Sequence, residues 1–193
     1  MNTITSQSNN SCSLEAICNG LEEVKGVRVP QEDILAFYKK YDPNYGTNRS
    51  GLRVFEILDI LKGEPIGGYK VDEYKKIYST TNRGRIDGKK IDISNSIKRE
   101  DEACIFSIRT FDGLQLDGYS RLEIVESDMT GAHAVLGIKK PGNKYPIVKV
   151  HNISCFRLEN SWGENWGENG FCYLPVIDVD HFVIACYSVR FNI

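Results

Sequence analysis

Hydrophobic positions change their period about half-way along the chain. In Ser13–Leu21, Leu14, Ile17, Cys18 and Leu21 recur at helical spacing, which predicts a helix ending near Gly20. Pro30 then opens PQEDILAFYKKY, with acidic residues in the first turn and lysines in the last, as the helix dipole favours. That helix is expected to stop before Asp42-Pro43. A third helix is predicted in GLRVFEILDILKG, capped by Ser50, with Leu52, Phe55, Ile57, Leu58 and Leu61 on its apolar side.

Beyond residue 100 the pattern becomes short β-branched and aromatic runs separated by turn residues. They are Ala103–Arg109, Ala132–Ile138, Ile147–Val150, Phe156–Glu159, Phe171–Pro175 and Phe182–Phe191. Pro141-Gly142-Asn143 reads as a hairpin connection. Asn82–Glu102 is charged and weakly periodic, and it is expected to cross from one half to the other. Helices followed by strands predict an α+β fold: one domain over 1–193, with a helical lobe over roughly 1–100 and a β-rich lobe over 101–193.

Composition narrows the field by exclusion. A chain that is 41% hydrophobic and 26% charged is too apolar to be disordered. A net charge of −2 leaves no basic field for nucleic acid or an anionic membrane. No apolar run approaches the roughly 20 residues that span a bilayer. The polar N-terminus lacks a signal-peptide pattern, so cytoplasmic action is expected, or secretion if a leader has been removed. The six cysteines (12, 18, 104, 155, 172 and 186) form no CxxC pair and no zinc spacing. Reduced core thiols are the expected state, with some disulfides as the alternative. No metal site and no cofactor are implied.

The most informative stretch is Asn160–Leu174, NSWGENWGENGFCYL, which holds the chain's two tryptophans in two Trp-Gly pairs. Taken by itself, it is equally a Trp-clustered hairpin. Upstream, however, His133 stands ahead of the apolar run AVLGI, and Cys12 opens the first periodic helix. At a helix N-terminus, unpaired N–H groups and the dipole lower a thiol pKa.

In this order, these residues closely resemble the papain-like (C1-type) cysteine peptidases, most nearly verbatim in NSWG…WGENG. The resemblance implies a two-lobed fold, a helical N-terminal lobe beside an antiparallel, barrel-like β lobe, with the active site in the cleft between them. It implies a triad of Cys12 as nucleophile, His133 as base and Asn160 as the residue orienting the histidine, with Trp162 shielding their hydrogen bond. It further implies a glutamine in the oxyanion hole; Gln7 is the candidate, with Asn9 or Asn10 as substitutes. The match departs from the family around the nucleophile, where Q-S-N-N-S-C-S replaces the usual Q-G-x-C-G-S-C-W. Substrate-binding positions are expected at Ser50, Gly51, Leu52, Ala132, Trp162 and Trp166, with Gly67-Gly68 a second candidate for the backbone-binding glycines.

The implied function is hydrolysis of peptide bonds in peptide or protein substrates through a thioester acyl-enzyme. Two alternatives use the same scaffold: a peptide ligase or transpeptidase with the same triad, and a catalytically silent binding protein. The sequence assigns no oligomeric state.

Overall fold

The computed structural model describes residues 11–47, 50–80, 85–111, 129–139 and 146–193. The chain opens with three helices, α1 (Cys12–Lys25), α2 (Gln31–Tyr41) and α3 (Val54–Gly63). Strands β1 (Lys70–Thr80) and β2 (Ile86–Gly88) precede helix α4 (Lys90–Lys98). Six strands follow: β3 (Ala103–Phe111), β4 (Met129–Ile138), β5 (Ile147–Val150), β6 (Ile153–Glu159), β7 (Phe171–Pro175) and β8 (Val183–Asn192). A 3₁₀ turn (Val176–Asp178) and the single-turn helix Val179–Phe182 lead into β8.

Among the described residues every strand pairing is antiparallel, in the order β2-β1-β8-β3-β4-β6-β5, with β7 alongside β6. Both faces of the central strands are covered. On β3, Ala103 and Ile105 join the core beneath α1–α3, while Cys104, Phe106 and Ile108 point into a second core with α4, β6 and β7. Strands buried on two faces read as nearly continuous apolar runs, which is why the central ones stand out in the sequence. β1 does not stand out. Its sequence KVDEYKKIYST exposes Asp72, Glu73, Lys75 and Lys76 between buried Val71 and Tyr78, and its pairing with β8 brings a strand from the first half into the sheet.

Helix α1 is the centre of the molecule. Residues 13–21 are all buried, so the helix is enclosed on every side between β3, β4 and α3. It does not end near Gly20. A Cβ added at Gly20 would lie 2.7 Å from the Ala103 Cβ, so this glycine is what lets the helix lie close against β3. The helix runs on to Gly26, which takes the left-handed conformation (φ 70°) and bonds the Glu22 carbonyl at 2.8 Å. Ser50 is likewise not the cap of α3. That place belongs to Arg53, whose N–H donates to Glu56 Oε2 at 2.8 Å. On α3, Val54, Ile57, Leu58 and Leu61 are buried, whereas Phe55 is exposed. The segment read as a crossover contains β2 and α4, and the Pro141-Gly142-Asn143 connection lies outside the described residues. No helix among the described residues is long and apolar enough to cross a membrane.

Candidate active site

Cys12 is the first residue of α1, immediately after the capping residue Ser11, whose carbonyl accepts the N–H groups of Leu14 (3.1 Å) and Glu15 (3.0 Å). The buried Glu15 carboxylate fixes this corner. It accepts from Ser11 Oγ at 2.5 Å and from Gln31 Nε2 at 3.3 Å, tying the start of α1 to the start of α2. An acidic group in the first turn also suits the positive end of the helix dipole.

His133 sits in β4 opposite Ile108 and is buried. Its Nε2 lies 2.6 Å from Asn160 Oδ1. An amide oxygen only accepts, so this contact puts the proton on Nε2 and leaves Nδ1 with a free lone pair. The Trp162 ring stacks on the imidazole at 4.4 Å and 28°, and Trp166 meets Trp162 edge-on at 5.3 Å and 89°. The loop that carries them is held by backbone bonds: Asn160 N to Gly170 O (2.9 Å), Gly170 N to Trp166 O (2.7 Å) and Trp166 N to Gly163 O (3.2 Å). Each turn of that loop therefore serves the placement of Asn160, which is itself buried.

Cys12 and His133 line one cleft of about 720 Å³. The Ala134 backbone N–H reaches the Cys12 thiol, which puts the sulfur against β4 one residue beyond His133. The cleft is also lined by a Ser50–Phe55 wall, by Gly131 and Ala132, and by Ile184, Ala185 and Tyr187 on β8. Asp42 anchors the Ser50–Phe55 wall: its Oδ2 accepts from Ser50 Oγ and from the Gly51 N–H, both at 2.7 Å, and its Oδ1 accepts from Asn44 N at 2.8 Å. Burial alone would raise this carboxyl, but the three donors outweigh it and hold Asp42 below the usual carboxylate range.

The electrostatics differ from the expectation of a thiol acidified by its helix. Burial is the largest influence on Cys12 and pushes its thiol up, with the Ala134 N–H and the Ser13 hydroxyl offsetting only part. Burial also lowers His133 to about 4, against a smaller upward pull from Asn160. Burial thus acts in opposite directions on the two groups, upward on the thiol and downward on the imidazole.

Of the residues singled out in the sequence, Cys12, His133, Ser50, Gly51, Leu52, Ala132 and Trp162 all border this cleft, and Asn160 bonds His133 from behind. Trp166 does not border it; its ring belongs to the second core, beneath Trp162. Gly67 and Gly68 form the tight turn between Ile66 and Tyr69, away from the cleft. Gln7, Asn9 and Asn10 lie outside the described residues. The other two histidines are exposed, His151 in a turn and His181 in the single-turn helix. Sequence reasoning missed Ala185 and Tyr187. The alternation in β8 puts them on one face but carries no sign that this face fronts the cleft. The six cysteines are unbridged, and among the described residues no cluster of His, Cys, Asp or Glu is arranged to hold a metal.

Comparison with solved structures places this architecture. Xylellain, a cysteine protease from Xylella fastidiosa, superposes with a TM-score of 0.67 over 98% of this chain and 82% of its own, at 15% identity. The fold is papain-like. The bromelain protease from Ananas comosus, solved with the E64 inhibitor, matches this papain-like chain over 98% of its length and 93% of bromelain's, with a TM-score of 0.63 and 13% identity. Digestive procathepsin L 3 of the Tenebrio molitor larval midgut has a TM-score of 0.69 at 13% identity, covering 98% of this chain and 66% of its own. No protein-family model and no curated protein sequence matches the chain.

Proposed function

We propose that this papain-like chain hydrolyses peptide bonds with Cys12 as nucleophile, His133 as general base and acid, and Asn160 as the orienting residue. The observation that carries the reading is the 2.6 Å bond from His133 Nε2 to Asn160 Oδ1 beneath Trp162, in the cleft that Cys12 also lines. It frees Nδ1 to take the thiol proton.

His133 Nδ1 takes the Cys12 proton, giving a thiolate–imidazolium pair, and the thiolate adds to the scissile carbonyl. The oxyanion is met by the Cys12 backbone N–H at the start of α1 and by a side-chain amide, the role assigned to Gln7. The imidazolium then protonates the leaving amine, giving a thioester, and His133 next activates water to release the acid and regenerate the thiol. Peptide substrate lies along the Ser50–Leu52 wall and beside Ala132.

The test is turnover of a diverse fluorogenic peptide library under reducing conditions, with and without an added amine. Cys12→Ser and His133→Ala are each expected to lower kcat/KM by at least about 10³-fold. Full activity in Cys12→Ser would overturn the assignment, and incorporation of the amine would reassign the reaction to acyl transfer.

A further inference from the structure

A second polar contact joins the same two parts of the fold, away from the reacting atoms. Asn19 lies seven residues after Cys12, two helical turns along α1 and on the same face. Its Nδ2 donates to Glu159 Oε1 at 3.0 Å, and Glu159 is the last residue of β6, directly before Asn160. Both side chains are buried. One hydrogen bond thus links the helix that carries the thiol to the strand end that carries the histidine's partner.

The surroundings of Glu159 are poor for a charge. Its second oxygen, Oε2, is buried with no hydrogen-bond partner. From α1, one turn beyond Asn19, Glu22 and Glu23 face it. Its strand neighbours are Leu136 on β4 and Phe171 on β7, both apolar. Among the described residues, the cation acting on it is Arg157 on β6 itself, which lies over the Phe171 ring at 3.5 Å from its centroid.

We propose that Asn19 and Glu159 form a proton-dependent strut between α1 and β6, with Glu159 the positioning residue that holds the Cys12 helix against the His133–Asn160 pair. This rests on the peptidase reading above. With a proton on Oε2 the carboxyl is neutral, and the Asn19 bond closes the joint. Without it, a bare carboxylate oxygen is buried facing Glu22 and Glu23, and α1 is pushed from the sheet. Burial first, then Glu23 and Glu22, raise this carboxyl to about 7 against a small opposing pull from Arg157, so the change falls in the neutral range. The Ser50–Gly51 wall is anchored separately by Asp42, so the effect falls on kcat and not on KM.

The experiment compares kcat and KM between pH 5 and 9 for the wild type and Glu159→Gln, which keeps the acceptor for Asn19 but cannot ionise. The wild type is expected to lose kcat several-fold with a midpoint near 7, and the variant to lack that limb. Superimposable profiles would overturn the strut. Glu22→Gln/Glu23→Gln, at less buried positions, gives a second reading if Glu159→Gln fails to fold. Removing two negative neighbours must move the midpoint to lower pH, and an unmoved midpoint counts against the proposal. Should the wild type show no turnover at any pH, the peptidase reading fails, and the strut is still decided by the Glu159 carboxyl titration in carbon-13 NMR of the full chain. A midpoint in the usual carboxylate range would refute it.

Discussion

Gly20→Ala puts two familiar effects in opposition. In an open helix this change stabilises by about 1 kcal/mol, because alanine restricts the unfolded backbone. Here the new Cβ would meet the Ala103 Cβ at 2.7 Å and Ile105 Cδ1 at 3.3 Å. Carbon atoms sit comfortably at roughly 3.5–4.0 Å, so the overlap with Ala103 is about 1 Å. Ile105 can change rotamer, but a Cβ has none, and relief must come from moving α1 or β3. Overpacking of a dense core costs roughly 1–3 kcal/mol. Because the nearer contact, Ala103, cannot yield, the upper part of that range applies, and the net is a loss of about 1–2 kcal/mol. Urea unfolding measures it directly, and a thermal scan should show a fall of about 2–4 °C per kcal/mol for a chain of this size. Because α1 also carries Cys12, displacement of the helix should slow modification of the thiol. Gly20→Ala/Ala103→Gly removes the clash and should recover much of both losses. A Gly20→Ala protein about 1 kcal/mol more stable than the wild type, with unchanged Cys12 reactivity, would refute the close-packing argument.

Other substitutions probe the site from different sides. Asp42→Asn offers one oxygen where three donors now converge, so at least one of Ser50, Gly51 and Asn44 loses its acceptor. Steady-state kinetics should show KM raised several-fold with kcat nearly unchanged, and unfolding should show a loss of about 1–3 kcal/mol. Asn160→Asp puts a carboxylate against the imidazole and should raise the His133 pKa from about 4 by roughly 1–3 pH units, read by NMR titration or the acid limb of the rate profile. Glu159 has a folded pKa of about 7, above its ordinary value of 4.5. Its contribution to stability is therefore full below pH 4.5 and is lost as pH rises through 7, by about 3 kcal/mol in total. Urea midpoints of the wild type should fall over that window, while those of Glu159→Gln stay level.

What could be read from the sequence follows from burial. The central strands among β3 to β8 were legible because they are covered on both faces, which fills their short runs with β-branched and aromatic residues. β1 was not, since its exposed lysines and acids mimic a solvated loop. Gly20 looked like a stop because spacing cannot separate a glycine that ends a helix from one that lets it approach a strand. Ser50 had the chemistry of a cap, but the same hydroxyl serves equally as a donor to Asp42, and only the fold brings that carboxylate near. Cys12, His133 and Asn160 were legible because NSWG…WGENG is a strong local signature that fixes the other two by order. The opposing effects of burial on the thiol and the imidazole were not, because they depend on how tightly β4 and Trp162 close over both groups.

The central claim is that Cys12 is a nucleophile activated by His133, and site-selective labelling tests it most directly. The reduced protein would be treated with an irreversible epoxide or acyloxymethyl-ketone probe across a pH series, and the adduct located by mass spectrometry. The account predicts modification of Cys12 ahead of the five buried cysteines, with loss of labelling in His133→Ala. Labelling of Cys12 that is indifferent to His133, or no preference for Cys12 over the other thiols, would contradict it.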